Sequence, residues 1–348
     1  MKKYIDHEDM IITNCSAVLD VIQKNKNISR KKITELTCLS WGGMTKIVNK
    51  LLEHEYITER KADPTSKSGR IPSIISINNN KNFVVGLDIN KTGFNGTVMT
   101  LSGEILKKYS SSVKAKTKTE MLEEIISFTS GIFDDFPSGI IIAIGVAMQG
   151  IVDSKKGISV KFPGITNWED VPLKKILEDN FKVNVFIEHD PDCLLYSHIE
   201  TENSKNILLF RIDKSIGMAV SLNSKIIKGK GILEIAHNTV IPDGKKCSCG
   251  MKGCLEAYLP SPENQDDSNE FILPLSITIK NMVNIFNADK VILTGDSMSR
   301  LKVHENELLN NLTKMNCNIT ISFSDSYEHA VIGAALIAIH KAIDSLEI

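Results

Sequence analysis

The sequence predicts an α/β protein in two parts, a small N-terminal winged helix-turn-helix followed by a larger body of two lobes. Three observations predict it. The first 70 residues hold three consecutive stretches with apolar residues at helical spacing, two of them opened by a serine in N-cap position. A buried-strand pattern followed by turn residues then occurs twice, at Phe83–Ile89 and Ile207–Ile212. Finally, 348 residues exceed the roughly 250 to 300 that a single hydrophobic core accommodates, so more than one structural unit is expected.

In the first part, Ile12, Val18, Leu19 and Ile22 mark the first helix. Ser29 stands as N-cap of a second helix carrying Ile33 and Leu36, and Ser40 as N-cap of a third. The intervening Thr37-Cys38-Leu39 is short enough to set the last two helices at the steep angle of a helix-turn-helix. Ile47, Val48, Leu51 and Leu52 form the expected buried stripe of the third helix. That leaves Trp41, Gly42, Thr45, Lys46 and Asn49 facing outward toward base edges and phosphates, with Ser29, Arg30 and Ser40 at the helix starts as further candidates for DNA contact.

Two strand-like runs follow, Tyr56–Lys61 and Ile71–Ile77, joined by Asp63-Pro64-Thr65-Ser66-Lys67-Ser68-Gly69-Arg70. This reads as a hairpin, the wing, with Lys67, Gly69 and Arg70 near its tip, where a guanidinium gains most from a narrow minor groove. Charge agrees with that placement: residues 1–70 hold thirteen Lys and Arg against nine Asp and Glu, a net of +4 in a chain whose total is −1. The residues alone leave open a basic three-helix unit that binds another protein.

The body has the ordinary composition of a globular protein. Its most apolar run, Ile140–Val152, is interrupted by Gly145, Gln149 and Gly150 and is shorter than the roughly 20 residues that span a bilayer. With no basic-then-apolar signal pattern at the start, a cytoplasmic protein without a membrane partner is expected. Three of the seven cysteines belong to one cluster, and Cys15, Cys38, Cys193 and Cys317 are scattered among apolar neighbours, which implies reduced thiols.

That cluster is the most informative segment of the chain. His237, Cys247, Cys249 and Cys254 place one imidazole and three thiols in a stretch where Gly250 and Gly253 let the backbone turn tightly. All four side chains can then reach one tetrahedral centre at roughly 2.0 to 2.3 Å, a structural zinc site with no position left for water. Three unligated thiols are the alternative.

The same segment resembles the signature of the ROK family of bacterial sugar kinases and sugar-responsive repressors: an E-x-x-H pair, here Glu234 and His237, followed by C-x-C-G-x-x-G-C-x-E, here Cys247 to Glu256. The likeness extends over nearly the whole chain. It implies an actin-like ATPase fold in two lobes, with Glu234, His237 and Glu256 presented to a sugar. Ile28-Ser29-Arg30, Leu39-Ser40 and Gly69-Arg70-Ile71-Pro72 resemble the winged helix of the family's repressor branch, which its kinases lack.

Against that family, the phosphate loops of this chain are altered. Where the family usually reads D-x-G-G-T, the sequence is Asp88-Ile89-Asn90-Lys91-Thr92, without the glycines that let backbone N–H groups close around phosphate. Asp213-Lys214-Ser215 stands where kinases resemble G-T-G, and Thr294-Gly295-Asp296 where a glycine-rich loop is usual. A carboxylate beside a phosphate at roughly 4 Å costs several kcal/mol at the effective dielectric of a protein surface. No phosphoryl transfer is therefore expected.

The sugar cleft is better kept. Glu188-His189-Asp190 resembles the family's E-N-D, so Asp190 and His189 join Asn167 as candidate sugar ligands, although an aspartate after a strand is also a common helix cap. Trp168, beside Asn167, fits either the sugar loop or the core. The polar Ser261–Glu270 reads as a loop replacing part of the second lobe, and Ala330–Ile339 as a helix packing on the first.

The expected organisation is a DNA-binding domain over residues 1–78, a first lobe over 79–190 plus 333–348, and a second lobe with the zinc loop over 191–332. The expected function is a homodimeric, sugar-responsive repressor of operator DNA with structural zinc. A fused sugar kinase, and a constitutive repressor whose body only dimerises, are the alternatives.

Overall fold

The computed structural model describes residues 7–61, 73–137, 140–199, 202–228, 233–260, 268–296, 298–324 and 327–346. Helices α1 (His7–Asn25), α2 (Arg30–Thr37) and α3 (Trp41–Glu53) precede the antiparallel pair β1 (Ile57–Lys61) and β2 (Ser73–Ile77), with Ile57 opposite Ile77. Ser29 Oγ accepts from the Lys32 N–H at 3.3 Å and Ser40 Oγ from the Gly43 N–H at 3.2 Å, so each serine satisfies a donor that its helix leaves orphaned. Cys38 reverses the chain between them in the left-handed region, at φ 56°.

The buried side of α3 is Met44, Ile47, Val48 and Leu51. Leu52, expected in that stripe, is only partly buried, because it lies about 100° around the helix from Leu51. The wing tip with Lys67, Gly69 and Arg70 lies outside the described residues.

The body then runs β3 (Phe83–Ile89), β4 (Gly93–Met99), β5 (Ile105–Ser112), α4 (Lys118–Asp134), β6 (Ile141–Met148), β7 (Ile151–Asp153), β8 (Ile158–Lys161), β9 (Glu169–Val171), α5 (Leu173–Phe181), β10 (Asn184–His189) and α6 (Asp190–Ile199). It continues with β11 (Ile207–Ile212), β12 (Ile216–Leu222), β13 (Lys225–Ile226), two 3₁₀ turns at Ile235–His237 and Leu255–Tyr258, α7 (Ser268–Phe286), β14 (Lys290–Thr294), α8 (Met298–Val303), α9 (Glu305–Lys314), β15 (Thr320–Ser324) and α10 (Tyr327–Asp344). The polar stretch read as a loop to Glu270 ends sooner, since α7 begins at Ser268; residues 261–267 are outside the description.

Both five-stranded sheets follow one plan. Their orders are β10-β6-β3-β4-β5 and β13-β12-β11-β14-β15, an antiparallel meander of three strands extended by two parallel ones. All seven residues of β3 are buried, as expected of a strand covered on both faces.

Helices α6 and α10 pack on each other between the sheets. Their approach depends on glycines: a Cβ on Gly145 of β6 would overlap the Ala334 carbonyl of α10, and one on Gly333 would overlap the Cys193 carbonyl of α6. The far end of α10 enters the core of the winged helix. Ala342, Ile343 and Leu346 share one buried cluster with Cys15, Val18, Leu19 and Ile22 of α1, and Ser16 Oγ donates to the Ile343 carbonyl at 2.6 Å.

Candidate functional site

The loop between the two 3₁₀ turns folds back on itself through Val240 N–H to the Gly253 carbonyl and Cys247 N–H to the Met251 carbonyl, both 2.8 Å. Gly253, at φ 74°, has no room for a side chain, because a Cβ would overlap the Ile241 carbonyl. This brings ligand atoms of His237, Cys247, Cys249 and Cys254 within 4.8 Å of one another.

The spacing tests the donor set. Around a tetrahedral zinc with bonds of about 2.3 Å to sulfur and 2.0–2.1 Å to nitrogen, neighbouring sulfurs stand about 3.8 Å apart and sulfur and nitrogen about 3.6 Å. Cys249 Sγ is 3.7 Å from Cys254 Sγ, and Cys247 Sγ is 3.6 Å from His237 Nδ1. The four residues therefore fit a metal ion of zinc's size.

Beside this loop lies a cluster of carboxylates gathered by one cation. Asp190, the first residue of α6, receives Arg211 Nη1 on Oδ2, and its Oδ1 is 3.3 Å from His189 Nε2. Arg211 Nε donates to Asp213 Oδ2 at 2.6 Å. Burial works against the charge of this guanidinium, but Asp190, Asp213 and Asp88 outweigh it and raise its pKa. Burial lowers the pKa of His189, with Asp190 opposing, which keeps the imidazole neutral near pH 7.

Asp88, 3 % exposed, is pushed up to about 6 by burial, with Arg211 opposing. Its Oδ2 accepts from Asn90 and Asn95, each at 3.3 Å, and its Oδ1 has no hydrogen-bond partner among the described residues. Arg211 is not among the residues that motif and spacing single out. Its signal was a single charge in the apolar strand Ile207–Ile212, a position where a charge must be paired.

The altered phosphate loops close on themselves. Asn90 Oδ1 accepts from the N–H groups of Thr92 and Gly93, both at 3.0 Å, and from Thr92 Oγ1 at 2.7 Å. Asp213 Oδ1 accepts from the Asp296 N–H at 2.5 Å, which joins the second altered loop to the third. The backbone N–H groups of Thr92, Gly93 and Asp296 are thus taken by the chain's own side chains.

Of the sugar candidates, Glu256 bridges two of these regions: its Oε1 accepts from Ser215 Oγ at 2.7 Å, and its Oε2 lies 3.7 Å from His237 Nδ1. Glu234, exposed just before the 3₁₀ turn that carries His237, is near enough to act electrostatically on His189. Asn167 is exposed in a left-handed conformation between β8 and β9, and among the described residues no hydrogen bond joins it to the others. Its neighbour Trp168 is core, 2 % exposed, with Nε1 donating to Ser159 Oγ at 2.9 Å.

On the winged helix, Trp41, Gly42, Lys46 and Asn49 are exposed, and Thr45 is half-buried with its hydroxyl enclosed. Arg30 is engaged within the fold: its guanidinium donates to both Glu59 oxygens, at 2.9 and 2.8 Å, and to Asn49 Oδ1 at 3.2 Å. The hydroxyls of Ser29 and Ser40 serve as the caps described above.

A sequence model described as the ROK family matches residues 84–263. The chain is 28 % identical to the xylose repressor of Bacillus subtilis (strain 168) over 351 aligned positions, covering 90 % of this chain and 89 % of that protein. Three further xylose repressors, one of them assigned provisionally, are matched over 65, 62 and 62 % of their own lengths. Among solved structures, a ROK family transcriptional regulator homologous to Escherichia coli MLC superposes with a TM-score of 0.81 at 19 % identity over 97 % of both chains. The ROK hexokinase from Thermus thermophilus superposes with a TM-score of 0.65 at 21 % identity, over 75 % of this chain and 99 % of that one.

Proposed function

The chain belongs to the ROK family, and from that premise we propose that it is a sugar-responsive transcriptional repressor that binds operator DNA through its winged helix and a sugar in a cleft that does not phosphorylate it. Residues 1–78 are the DNA-binding domain, 79–190 with 333–348 the first lobe, and 191–332 the second. The observation that carries the non-catalytic reading is the self-closure of the phosphate loops. Asn90 occupies the N–H groups of one loop, and the Asp213 carboxylate takes the Asp296 N–H where a nucleotide phosphate would need it.

In this reading Asp190, Glu234 and Glu256 accept from sugar hydroxyls, Asn167 both donates and accepts, and neutral His189 completes the polar wall. His237, Cys247, Cys249 and Cys254 hold a structural zinc, which supplies rigidity to the loop carrying Glu256. Were His237 to hold the metal through Nδ1, its Nε2–H would be left to donate to a hydroxyl oxygen. Trp41, Gly42, Thr45, Lys46 and Asn49, with the helix starts at Ser29, Arg30 and Ser40 and the wing residues Lys67, Gly69 and Arg70, form the DNA face. Arg30 orders that face through Glu59 and Asn49 before any phosphate is met.

Sugar shifts the DNA affinity only if it binds one arrangement of the lobes better than another. Two winged helices in a cytoplasmic homodimer would read half-sites about one DNA turn, roughly 34 Å, apart, and lobe closure would change that spacing. The test is binding to DNA from the protein's own upstream region at fixed ionic strength, with D-xylose, other aldoses and amino sugars added singly. One sugar is expected to weaken specific binding, and Glu234→Ala to abolish that effect. Tight DNA binding that no sugar changes, or sugar-dependent ATP consumption, would overturn the reading.

A further inference from the structure

At the end of β10, next to His189 and two residues before Asp190, Glu188 is 2 % exposed, yet cations reach it from two sides. Lys341 of α10 donates to Oε1 at 2.7 Å, and Lys228, just after β13, donates to Oε2. Burial pushes this carboxyl up, but Lys228 and Lys341 together more than offset it and hold its pKa below the usual carboxylate range. A buried carboxylate held between two ammonium groups has a preferred geometry, because each of its oxygens keeps a charge-assisted donor only while both lysines stay in place.

The two lysines belong to different parts of the molecule. Lys228 stands on the segment that leads from β13 to Glu234 and the metal loop. Lys341 stands on α10, two residues before Ile343, whose carbonyl receives Ser16 of α1 at 2.6 Å. Beyond that bond, Ala342, Ile343 and Leu346 are part of the same buried cluster as α1 and the inner faces of α2 and α3. Lys341 Nζ also lies 5.3 Å from the centre of the Phe186 ring, so β10 meets α10 at two points.

The path from the cleft is therefore short. Asp190 is two residues from Glu188, Glu188 is one ion pair from α10, and α10 is packed without a break into the DNA-binding helices.

We infer that Glu188 and Lys341 couple the cleft to the winged helix, transmitting a shift of the β10–α6 junction to α10 and thence to α1. The inference rests on the repressor reading above. Both are positioning residues: neither touches sugar or DNA, and their role is in the linkage between the two binding events.

Linkage is measured separately from either affinity. Full-length wild type, Lys341→Met, Glu188→Gln and Lys341→Arg are compared, with D-xylose as first probe and the rest of the sugar panel after it. Sugar affinity is read by calorimetry, and operator affinity with and without saturating sugar. A wild-type linkage of at least about 5-fold is expected to fall below about 2-fold in Lys341→Met and Glu188→Gln, with each separate affinity within about 3-fold of wild type. Lys341→Arg, which keeps the charge, should retain the linkage.

Full linkage in Lys341→Met overturns the inference. So does loss of sugar affinity in Lys341→Met and Lys341→Arg alike, which would mark the pair as support for the fold alone. A wild-type chain whose operator binding no sugar alters sinks the repressor reading itself, an outcome distinct from either.

Discussion

Arg211, the only charged residue of β11, donates through Nη1 to Asp190, the residue that opens α6. Their side chains are 11 and 6 % exposed, and the same guanidinium holds Asp213 through Nε. One cation from the second sheet thus fixes the carboxylate proposed to receive the sugar and the carboxylate that closes the phosphate loops. An effector hydroxyl must approach Asp190 beside this pair, so Arg211 limits which lone pairs remain to it.

Replacing Arg211 by Met is expected to cost about 3–5 kcal/mol of stability, because the buried Asp190 and the half-buried Asp213 lose their counter-charge. Adding Asp190→Asn to that variant should recover part of the loss. Urea unfolding of the single and double variants checks this, and an unchanged midpoint for Arg211→Met would show that water or rearrangement already compensates the charges.

Asp88 gives a pH signature of definite sign. Its folded pKa, about 6, lies above the ordinary 3.8, so the folded chain holds this proton more tightly than the unfolded one. The stability it contributes is full below the unfolded value and is lost as pH rises through the folded one. Asp88→Asn should therefore stabilise the protein at pH 7.5 by on the order of 1–3 kcal/mol and change little at pH 4. Thermal melts at the two pH values decide it; equal effects at both would contradict the burial argument.

Metal content is directly measurable. One zinc per chain is expected by atomic absorption, and Cys249→Ser should reduce it. Chelation should abolish the sugar response while leaving operator affinity without sugar largely intact, since the core of the winged helix is shared with α10 and the first sheet and includes no residue of the metal loop. Full sugar sensitivity in chelated protein would break the proposed link between metal loop and cleft.

Gly145→Ala tests the seat of α10. The added methyl meets the Ala334 carbonyl, a backbone atom that cannot rotate away. A loss above about 2 kcal/mol is expected in denaturant unfolding, in the range of overpacking and backbone displacement. A neutral effect would mean that α10 slides freely against β6.

Much of the architecture was legible in local spacing. The serines at 29 and 40 cap their helices because a hydroxyl three residues before an orphan N–H needs only the nearby chain to reach it. The metal ligands converge for the same reason, all lying in one glycine-containing loop. The alterations at Asn90 and Asp213 were also visible, although not that these side chains would themselves occupy the backbone donors.

The sequence by itself determined the helix-turn-helix, the strand patterns that begin each lobe, the metal loop and the family, all of which reside in residues close along the chain or in a continuous signature. Only the tertiary structure decided that Arg211 meets Asp190 across 21 positions, that Lys341 meets Glu188 across 153, and that Arg30 pairs with Glu59 across 29. Local spacing carries no record of such pairs. They follow from the strand order that brings these residues together, and from burial, which leaves a charge no partner except the one the fold provides.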